Sequence, residues 1–328
     1  MRKVLPAVLL ALFFIVGIPL VLGLFAGQEE SKPEEDVFSG KVDTPETVSV
    51  WISGEGKAEE IDFEEYVACV TASEMPSTFD EEALKAQSVA ARTYAMAKIL
   101  KYDEKRPESH PDAPLCDTTH CQAYKSEDKL IEIHEDGWEE SGFKKVRKAC
   151  EATEGELLYY DGELVTQPLF FSSSGGQTEN SEDVFTGAYP YLVSVSSPYE
   201  ENASHQNEEK EFSLEEIKTL LAKAYPDRTL VSVSASSIEI ISRTDGGRVE
   251  KMQVGEASFK GTEIRNALGL SSALFSISFS GDGSRIIFTS DGFGHGVGLS
   301  QYGADGMAKE GSGYKEILSH YYTGTEVH

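Results

Sequence analysis

The chain has 328 residues, with 29 lysine and arginine side chains against 56 aspartate and glutamate side chains, so its formal net charge is −27. This length suits one large domain or two smaller ones. A chain this acidic is poorly suited to bind the phosphates of a nucleic acid, and no nucleic-acid partner is expected.

The first element is the uncharged stretch Val4–Ala26, which is preceded by two basic residues and followed by acidic ones. It is long enough to span a hydrocarbon core of about 30 Å, and its flanking charges place the rest of the chain outside the cytoplasm. A cleaved secretory signal is the alternative, but Phe25 stands where a small residue is preferred. We therefore predict an uncleaved membrane anchor at residues 1–27.

Residues 28–47 are rich in Glu, Lys, Pro and Ser and are predicted to form a solvated tether to a domain at residues 48–328. An apolar segment early in this domain indicates a helix. It should end near Glu74, because Met75 precedes Pro76 and is biased away from the α region.

A second helix is predicted to begin with a capping box of Thr78 and Glu81 and to run to about Leu100. Gln87 and Arg92 interrupt its apolar face. Periodicity alone favours an ordinary amphipathic helix pair whose carboxylates are solvated.

Two histidines and two cysteines then fall within twelve residues: His110, Cys116, His120 and Cys121. Four such ligands suit tetrahedral zinc, and with no open position the site would be structural. The alternatives are a disulfide between Cys116 and Cys121 with two incidental surface histidines, or two disulfides among the four cysteines of an exported chain.

The next polar segment, Ser172–Gly176, follows an apolar run and offers small side chains and backbone amides to a hydroxyl-rich ligand. Residues 189–192 add aromatic surface that could stack on sugars. A capping box of Ser213 and Glu216 starts another helix. Beyond it, alternating apolar residues indicate a β-rich half that contains a short helix at residues 261–268.

The last informative segment surrounds His295 with glycines at 292, 294, 296 and 298, which permit positive φ and close approach to a ligand. It lacks the final glycine and the lysine of nucleotide-binding loops. The whole pattern predicts an α+β fold in which helices and an antiparallel β-rich subdomain surround a substrate groove, preceded by one transmembrane helix.

Three motifs in this order, Ala72-Ser-Glu-Met-Pro with Ala-Gln-Ser-Val-Ala-Ala-Arg-Thr-Tyr, Ser-Ser-Gly-Gly-Gln-Thr-Glu-Asn and Gly-His-Gly-Val-Gly-Leu-Ser-Gln-Tyr-Gly-Ala, resemble the stage II sporulation protein D family over residues 48–325. The resemblance implies a lytic transglycosylase that cuts the bond between N-acetylmuramic acid and N-acetylglucosamine in peptidoglycan during engulfment. It also implies that Glu74 is the catalytic acid, and some members carry a His/Cys zinc cluster.

The same resemblance implies partners and a place in the cell. The substrate would be glycan strands already stripped of stem peptides by an amidase, stage II sporulation protein P, with stage II sporulation protein M as a further partner. The protein would lie in the mother-cell engulfing membrane, a single-pass protein whose catalytic domain is outside the cytoplasm.

The predicted chemistry needs only one carboxylate. Hydrolytic glycosidases usually use two, whereas here the C6 hydroxyl of the muramic residue attacks C1 and leaves a 1,6-anhydro end. Glu74 must then be protonated near neutral pH, which burial beside Met75 and Tyr66 would favour. The proposed groove residues that position the sugar are Gln87, Arg92, Ser173, Ser174, His295, Ser300, Gln301 and Tyr302.

Among these, His295 is expected to be a hydrogen-bonding wall rather than a second proton carrier. Arg92 and Lys85 are expected to be the cations nearest Glu74, where they would meet lactyl carboxylates. Two other functions stay open: a non-catalytic glycan-binding scaffold of the engulfment machinery, and a zinc hydrolase of peptide cross-links, which the closed ligand set argues against.

Overall fold

The computed structural model describes residues 40–328. Its α-helices, in chain order, are α1 (Phe63–Glu74), α2 (Glu81–Lys101), α3 (Glu127–Ile133), α4 (Lys144–Glu151), α5 (Ser181–Val184), α6 (Leu214–Ala224), α7 (Gly261–Leu268), α8 (Gln301–Lys309) and α9 (Tyr314–Tyr321). Its strands are β1 (Thr47–Ile52), β2 (Lys57–Asp62), β3 (Leu115–Cys116), β4 (Leu158–Tyr160), β5 (Glu163–Leu164), β6 (Phe170–Phe171), β7 (Glu208–Ser213), β8 (Ile238–Arg243), β9 (Val249–Val254), β10 (Ala257–Lys260), β11 (Phe275–Phe279), β12 (Arg285–Ser290), β13 (Leu299–Ser300) and β14 (Thr325–Val327).

The helix pair α1 and α2 has the predicted break between its members. Helix α1 ends at Glu74, and Met75 is extended, as expected for a residue before proline. The predicted start of α2 was wrong: its N-cap is Asp80, whose side chain accepts from the Glu82 amide. The helix is capped by Asp80 rather than Thr78 because the Asp80 backbone amide also donates to the Asp305 carboxylate, 2.8 Å away, and this bond fixes the chain there.

Helix α2 is the centre of the first hydrophobic core and packs against α1, α4, α8 and α9. Its small apolar residues are almost all buried, which lets neighbouring helices approach on several sides. A helix buried on most of its surface cannot show a strong apolar stripe in the sequence.

The β-rich half has a second core. It is built on two antiparallel sheets, with strand orders β10-β9-β8 and β11-β12-β7, covered by α6 and α7. Two predictions are confirmed here: the capping box of Ser213 and Glu216 at the start of α6, and the helix at residues 261–268.

Three smaller sheets complete the fold, with orders β2-β1-β3, β13-β6 and β14-β4-β5. Only the β1–β3 and β13–β6 pairs among the described strands are parallel. The α+β class with antiparallel sheets is therefore confirmed.

Within residues 40–328, no helix combines the length and the apolar character needed to cross a membrane. The predicted anchor at residues 1–27 lies outside the described residues, as does most of the predicted tether, and both stay predictions.

Candidate active site: a groove with one carboxylate

An open groove of about 870 Å³ lies where the helical part meets the β-rich part. Its walls come from the end of α1, from the C-terminal half of α2 and from residues 119–122, 167, 169–172 and 293–295. Gln301 and Tyr302, the first residues of α8, also line it, as do Phe185, Ser204, His205 and Arg265.

Glu74 is the sole carboxylate among the described residues that line this groove. Its position at the last residue of α1 follows from the helix break before Pro76. One carboxylate oxygen accepts from the Ala123 amide at 2.6 Å. Burial raises the pKa of Glu74, while the Ala123 hydrogen bond and the charge of Lys125 oppose the rise. Glu74 is thus a desolvated carboxyl group with one backbone donor, a suitable environment for a general acid.

The groove brings together four of the nine residues predicted for catalysis and sugar binding: Glu74, His295, Gln301 and Tyr302. The other five are fully buried and do not line it: Gln87, Arg92, Ser173, Ser174 and Ser300. Their positions behind the wall follow from the partners that they bind inside the protein.

Arg92 and Gln87 illustrate this on α2. Arg92 makes a two-pronged ion pair with Glu64, at 2.8 and 2.6 Å, and its guanidinium also donates to the Cys150 carbonyl. The Gln87 amide oxygen accepts from the Gln301 side chain at 3.3 Å, so Gln87 supports a residue that does line the groove. Both were predicted as sugar ligands because the sequence does not show which polar residues already have partners.

Glu200 organises the buried serines and was missed by the sequence analysis. Its carboxylate, 5% exposed, accepts from the Ser174 amide and hydroxyl, the Gly175 amide, and the hydroxyls of Ser197 and Ser300. The amides expected to face a ligand therefore bind this carboxylate instead. Because Glu200 lies in an acidic, Asn-rich stretch, no local pattern separates it from a solvated loop.

His295 is hydrogen-bonded within the protein. Its Nδ1 accepts from the Val297 amide at 3.1 Å, and the ring also hydrogen-bonds the Phe170 backbone. Desolvation lowers the pKa of His295 to about 4, so the ring is neutral at pH 7. This arrangement suits the wall role.

Among the glycines around His295, Gly296 and Gly298 serve packing within the protein, whereas Gly294 lines the groove. All four have positive φ, as predicted. A Cβ at Gly296 would collide with the Arg248 guanidinium, and one at Gly298 would collide with the Leu169 carbonyl.

The cations of the groove are Lys98 and Arg265, neither of them predicted. Lys85, predicted to lie near Glu74, instead pairs with Glu81 and Glu82 at 3.3 and 2.7 Å. The cation that acts on the pKa of Glu74 is Lys125. The tertiary structure determines which cation acts on Glu74, because the predicted cations, which lie on α2, have carboxylate partners of their own.

Aromatic surface at the groove comes from Phe185 and Phe293, which are 41% and 43% exposed. The rings predicted for this purpose at residues 189–192 lie elsewhere, and Tyr191 is only 4% exposed. Phe185 contacts His295 edge-on, and Phe293 lies against His205 with ring centroids 4.5 Å apart.

The His/Cys cluster brings four candidate metal ligands together. The candidate ligand atoms of His110, Cys116, His120 and Cys121 lie within 4.8 Å of one another. His110 Nε2 is 3.2 Å from His120 Nδ1 and 3.5 Å from Cys121 Sγ. Tetrahedral zinc, with bonds of about 2.0 to 2.3 Å, separates its ligand atoms by about 3.3 to 3.8 Å.

The donor set agrees with zinc as well. His110 Nδ1 lies 2.9 Å from the Ala113 carbonyl, which selects the tautomer that leaves Nε2 free for a metal. The four cysteines, all in the described part of the chain, are free thiols, so the alternative disulfides are not formed.

One loop carries both a member of the His/Cys cluster and the backbone amide that donates to Glu74. Cys121 is a candidate ligand, and two residues further on the Ala123 amide binds Glu74. Gln122 between them donates to the Tyr66 hydroxyl and the Ala91 carbonyl. A metal that fixes this loop would also fix the donor that orients Glu74.

Fold and site together define an α+β protein with a groove that holds one half-buried carboxyl group beside a His/Cys cluster. Residues 53–160 match the family described as "Stage II sporulation protein", and residues 192–298 match a "Domain of unknown function (DUF8618)". The chain is 37% identical over 284 residues to stage II sporulation protein D of Bacillus subtilis (strain 168), and the alignment covers 87% of this chain and 79% of that protein.

The stage II sporulation protein D of Bacillus amyloliquefaciens is 36% identical over 285 residues, with the same coverage of 87% and 79%. The chain therefore belongs to the stage II sporulation protein D family, and the resemblance seen in its motifs is confirmed. The "Amidase enhancer" of Bacillus subtilis is 28% identical over 306 residues, which cover 79% of this chain and 39% of that protein.

Proposed function

We propose that this sporulation protein is a peptidoglycan lytic transglycosylase with Glu74 as its acid and base. The observation that carries the proposal is that Glu74 is the sole carboxylate among the described residues of the groove. A hydrolytic glycosidase usually needs a second carboxylate across the scissile bond. An intramolecular attack by the substrate's own hydroxyl needs one.

In the proposed reaction, Glu74 donates its proton to the glycosidic oxygen as the bond from C1 of N-acetylmuramic acid to that oxygen breaks. The C6 hydroxyl of the same sugar attacks C1, and its proton passes to Glu74. The products are a 1,6-anhydro-muramic end and a free N-acetylglucosamine hydroxyl, no water is consumed, and the acid is regenerated. The raised pKa of Glu74 supports the first step.

Other groove residues support binding rather than proton transfer. His295 is neutral and hydrogen-bonded to the backbone, which favours a wall. Tyr302 and Gln301 are held by the start of α8, with the Tyr302 amide donating to the Ser172 carbonyl at 3.0 Å. Phe185 and Phe293 offer exposed ring faces for sugars.

His110, Cys116, His120 and Cys121 would hold the zinc ion. Zinc with four protein ligands supplies structure, because it has no open coordination position. Its contribution here would be a rigid loop that presents the Ala123 amide to Glu74.

The cellular setting is also a proposal. The chain would act during engulfment from the mother-cell membrane, anchored by residues 1–27, with its domain outside the cytoplasm. Its substrate would be strands stripped by the amidase stage II sporulation protein P, with stage II sporulation protein M as a second partner. The similarity to a protein named amidase enhancer supports a link to amidase action.

The test uses residues 40–328 and amidase-treated glycan strands, with products identified by mass spectrometry. The unmutated protein should make 1,6-anhydro ends, and Glu74→Gln should reduce turnover by at least about 100-fold. Glu140→Gln is the control, because that carboxylate is 79% exposed and lies outside the groove.

Reducing ends in place of anhydro ends would contradict the lytic mechanism. Strands bound equally by the unmutated protein and by Glu74→Gln, but cut by neither, would favour the non-catalytic scaffold.

A further inference from the structure

Two cations in the groove have no carboxylate partner among the described residues, although the chain has nearly twice as many acidic as basic side chains. Lys98 and Arg265 both line the groove. Among the described residues, no carboxylate lies within 4.0 Å of either one, whereas Lys85, Arg92, Arg147, Arg228 and Arg248 all form ion pairs. The two groove cations are therefore available to a ligand.

Lys98 projects from the last part of α2 beside the His/Cys cluster. Its ammonium lies 5.1 Å from the centre of the Tyr94 ring, and its charge acts on His120. The Lys98 side chain is half-buried. A partly desolvated ammonium without a carboxylate partner gains more from a bound anion than an exposed one does.

Arg265 projects from α7, in the segment that matches the domain of unknown function. Its Nε donates to the Ser271 carbonyl at 3.1 Å, which fixes the plane of the guanidinium. Its two terminal nitrogens have no hydrogen-bond acceptor within residues 40–328. A guanidinium fixed at Nε with its terminal nitrogens free is suited to bind a carboxylate.

We propose that Lys98 and Arg265 bind the free lactyl carboxylates of muramic residues and so select glycan strands that have lost their stem peptides. This inference rests on the proposed function and adds the residues that determine specificity. An intact stem peptide converts the lactyl carboxylate into an amide, which removes the negative charge that both cations attract.

The proposal also assigns a role to residues 192–298. It supplies Arg265, His205 and Phe293 to the groove, while Glu74 and Lys98 come from the segment that matches the sporulation family. The domain of unknown function would thus be the substrate-selecting wall of a site whose acid lies on the other segment.

The experiment compares two glycans with one backbone: stripped strands with free lactyl carboxylates, and the same strands after conversion of those carboxylates to methylamides. Lys98→Gln and Arg265→Gln should each raise KM about tenfold on the free-carboxylate strands, with kcat changed little. Neither should change KM on the methylamide strands. Lys144→Gln is the control, since this exposed lysine lies outside the groove.

Arg265→Lys separates charge from structure. It keeps the positive charge but cannot reproduce the Nε bond to Ser271, so recovery of most of the affinity would identify charge as the cause. Equal KM values of the unmutated protein for both glycans, or equal losses of the variants on both, would overturn the proposal.

Binding of both glycans to Glu74→Gln protein, measured by co-sedimentation, keeps the two proposals distinguishable. Preference for the free-carboxylate strands without cleavage by the unmutated protein would support carboxylate recognition and contradict the enzymatic function. Cleavage without such a preference would support the enzymatic function and contradict carboxylate recognition.

Discussion

The end of α1 and the loops around Glu200 each hold a carboxylate away from bulk water, Glu74 half-buried and Glu200 fully buried, but they surround it differently. Glu74 accepts one hydrogen bond among the described residues, from the Ala123 amide. Glu200 accepts from two amides and three hydroxyls. A carboxylate that accepts from many internal donors is fixed in place by them, whereas a desolvated carboxyl group with a single donor is suited to donate a proton. The difference suits Glu200 to a structural role and Glu74 to the proposed role of acid.

The two regions also differ in what holds their loops. Around Glu200 the backbone is held by hydrogen bonds and by the buried ion pair of Arg248 with Glu179, 3.3 Å apart. The loop that meets Glu74 instead carries one member of the cluster of His110, Cys116, His120 and Cys121, two residues before the Ala123 amide. Removal of the proposed metal should therefore affect the loop that meets Glu74 and leave the loops around Glu200 in place.

The largest expected effect tests this metal dependence. The purified protein should contain one zinc per chain, and a chelator should lower its free energy of unfolding by about 4 kcal/mol relative to protein in free zinc at about 1,000 times the Kd. Cys121→Ser should lower the bound zinc measured by elemental analysis. Cys69→Ala, a buried thiol outside the cluster, should keep it. Unchanged unfolding curves with and without chelator would contradict a structural metal.

A smaller effect separates the two carboxylates. Glu200→Gln should lower the free energy of unfolding by about 1–3 kcal/mol, because the amide group places donors against the amides and hydroxyls that now donate to Glu200. Glu74→Gln should change it by less than about 0.5 kcal/mol. Denaturant titration of both variants checks the difference, and a larger loss for Glu74→Gln would reverse the roles assigned here.

Local features of the fold were predictable because neighbouring residues cause them. Pro76 ends α1 near Glu74 whatever else the chain does, and Ser213 with Glu216 starts α6 through bonds within one turn. The start of α2 was mispredicted because Asp80 is fixed by Asp305, more than 200 residues away. A sequence pattern cannot weigh such a contact.

The residues of the site likewise divide into those that local motifs indicate and those that depend on distant contacts. The motifs indicated Glu74, His295, Gln301 and Tyr302, which the structure brings to one groove. They also indicated Ser174 and Ser300, which instead bind Glu200. Lys98 and Arg265 were not predicted because the feature that distinguishes them is the absence of a carboxylate among their neighbours in space, and the sequence does not show those neighbours.

The smallest expected effect concerns the charge next to Glu74. Lys125 favours the ionised carboxylate and so lowers the pKa of Glu74, against the larger effect of burial. Cleavage needs the protonated acid, so activity should fall as pH rises through that pKa. Lys125→Gln should raise the pKa and move the descending limb to higher pH, giving on the order of threefold more kcat/KM on that limb relative to the plateau.

Lys125→Arg is the matched control, because it keeps the charge and should keep the pH profile. If Lys125→Gln leaves the limb in place or moves it to lower pH, the acid that titrates there does not respond to the charge of Lys125, and it is not Glu74. If both variants move it equally, the shift comes from the shape of the side chain. Only a shift specific to loss of charge ties the alkaline limb to the carboxyl group at the end of α1.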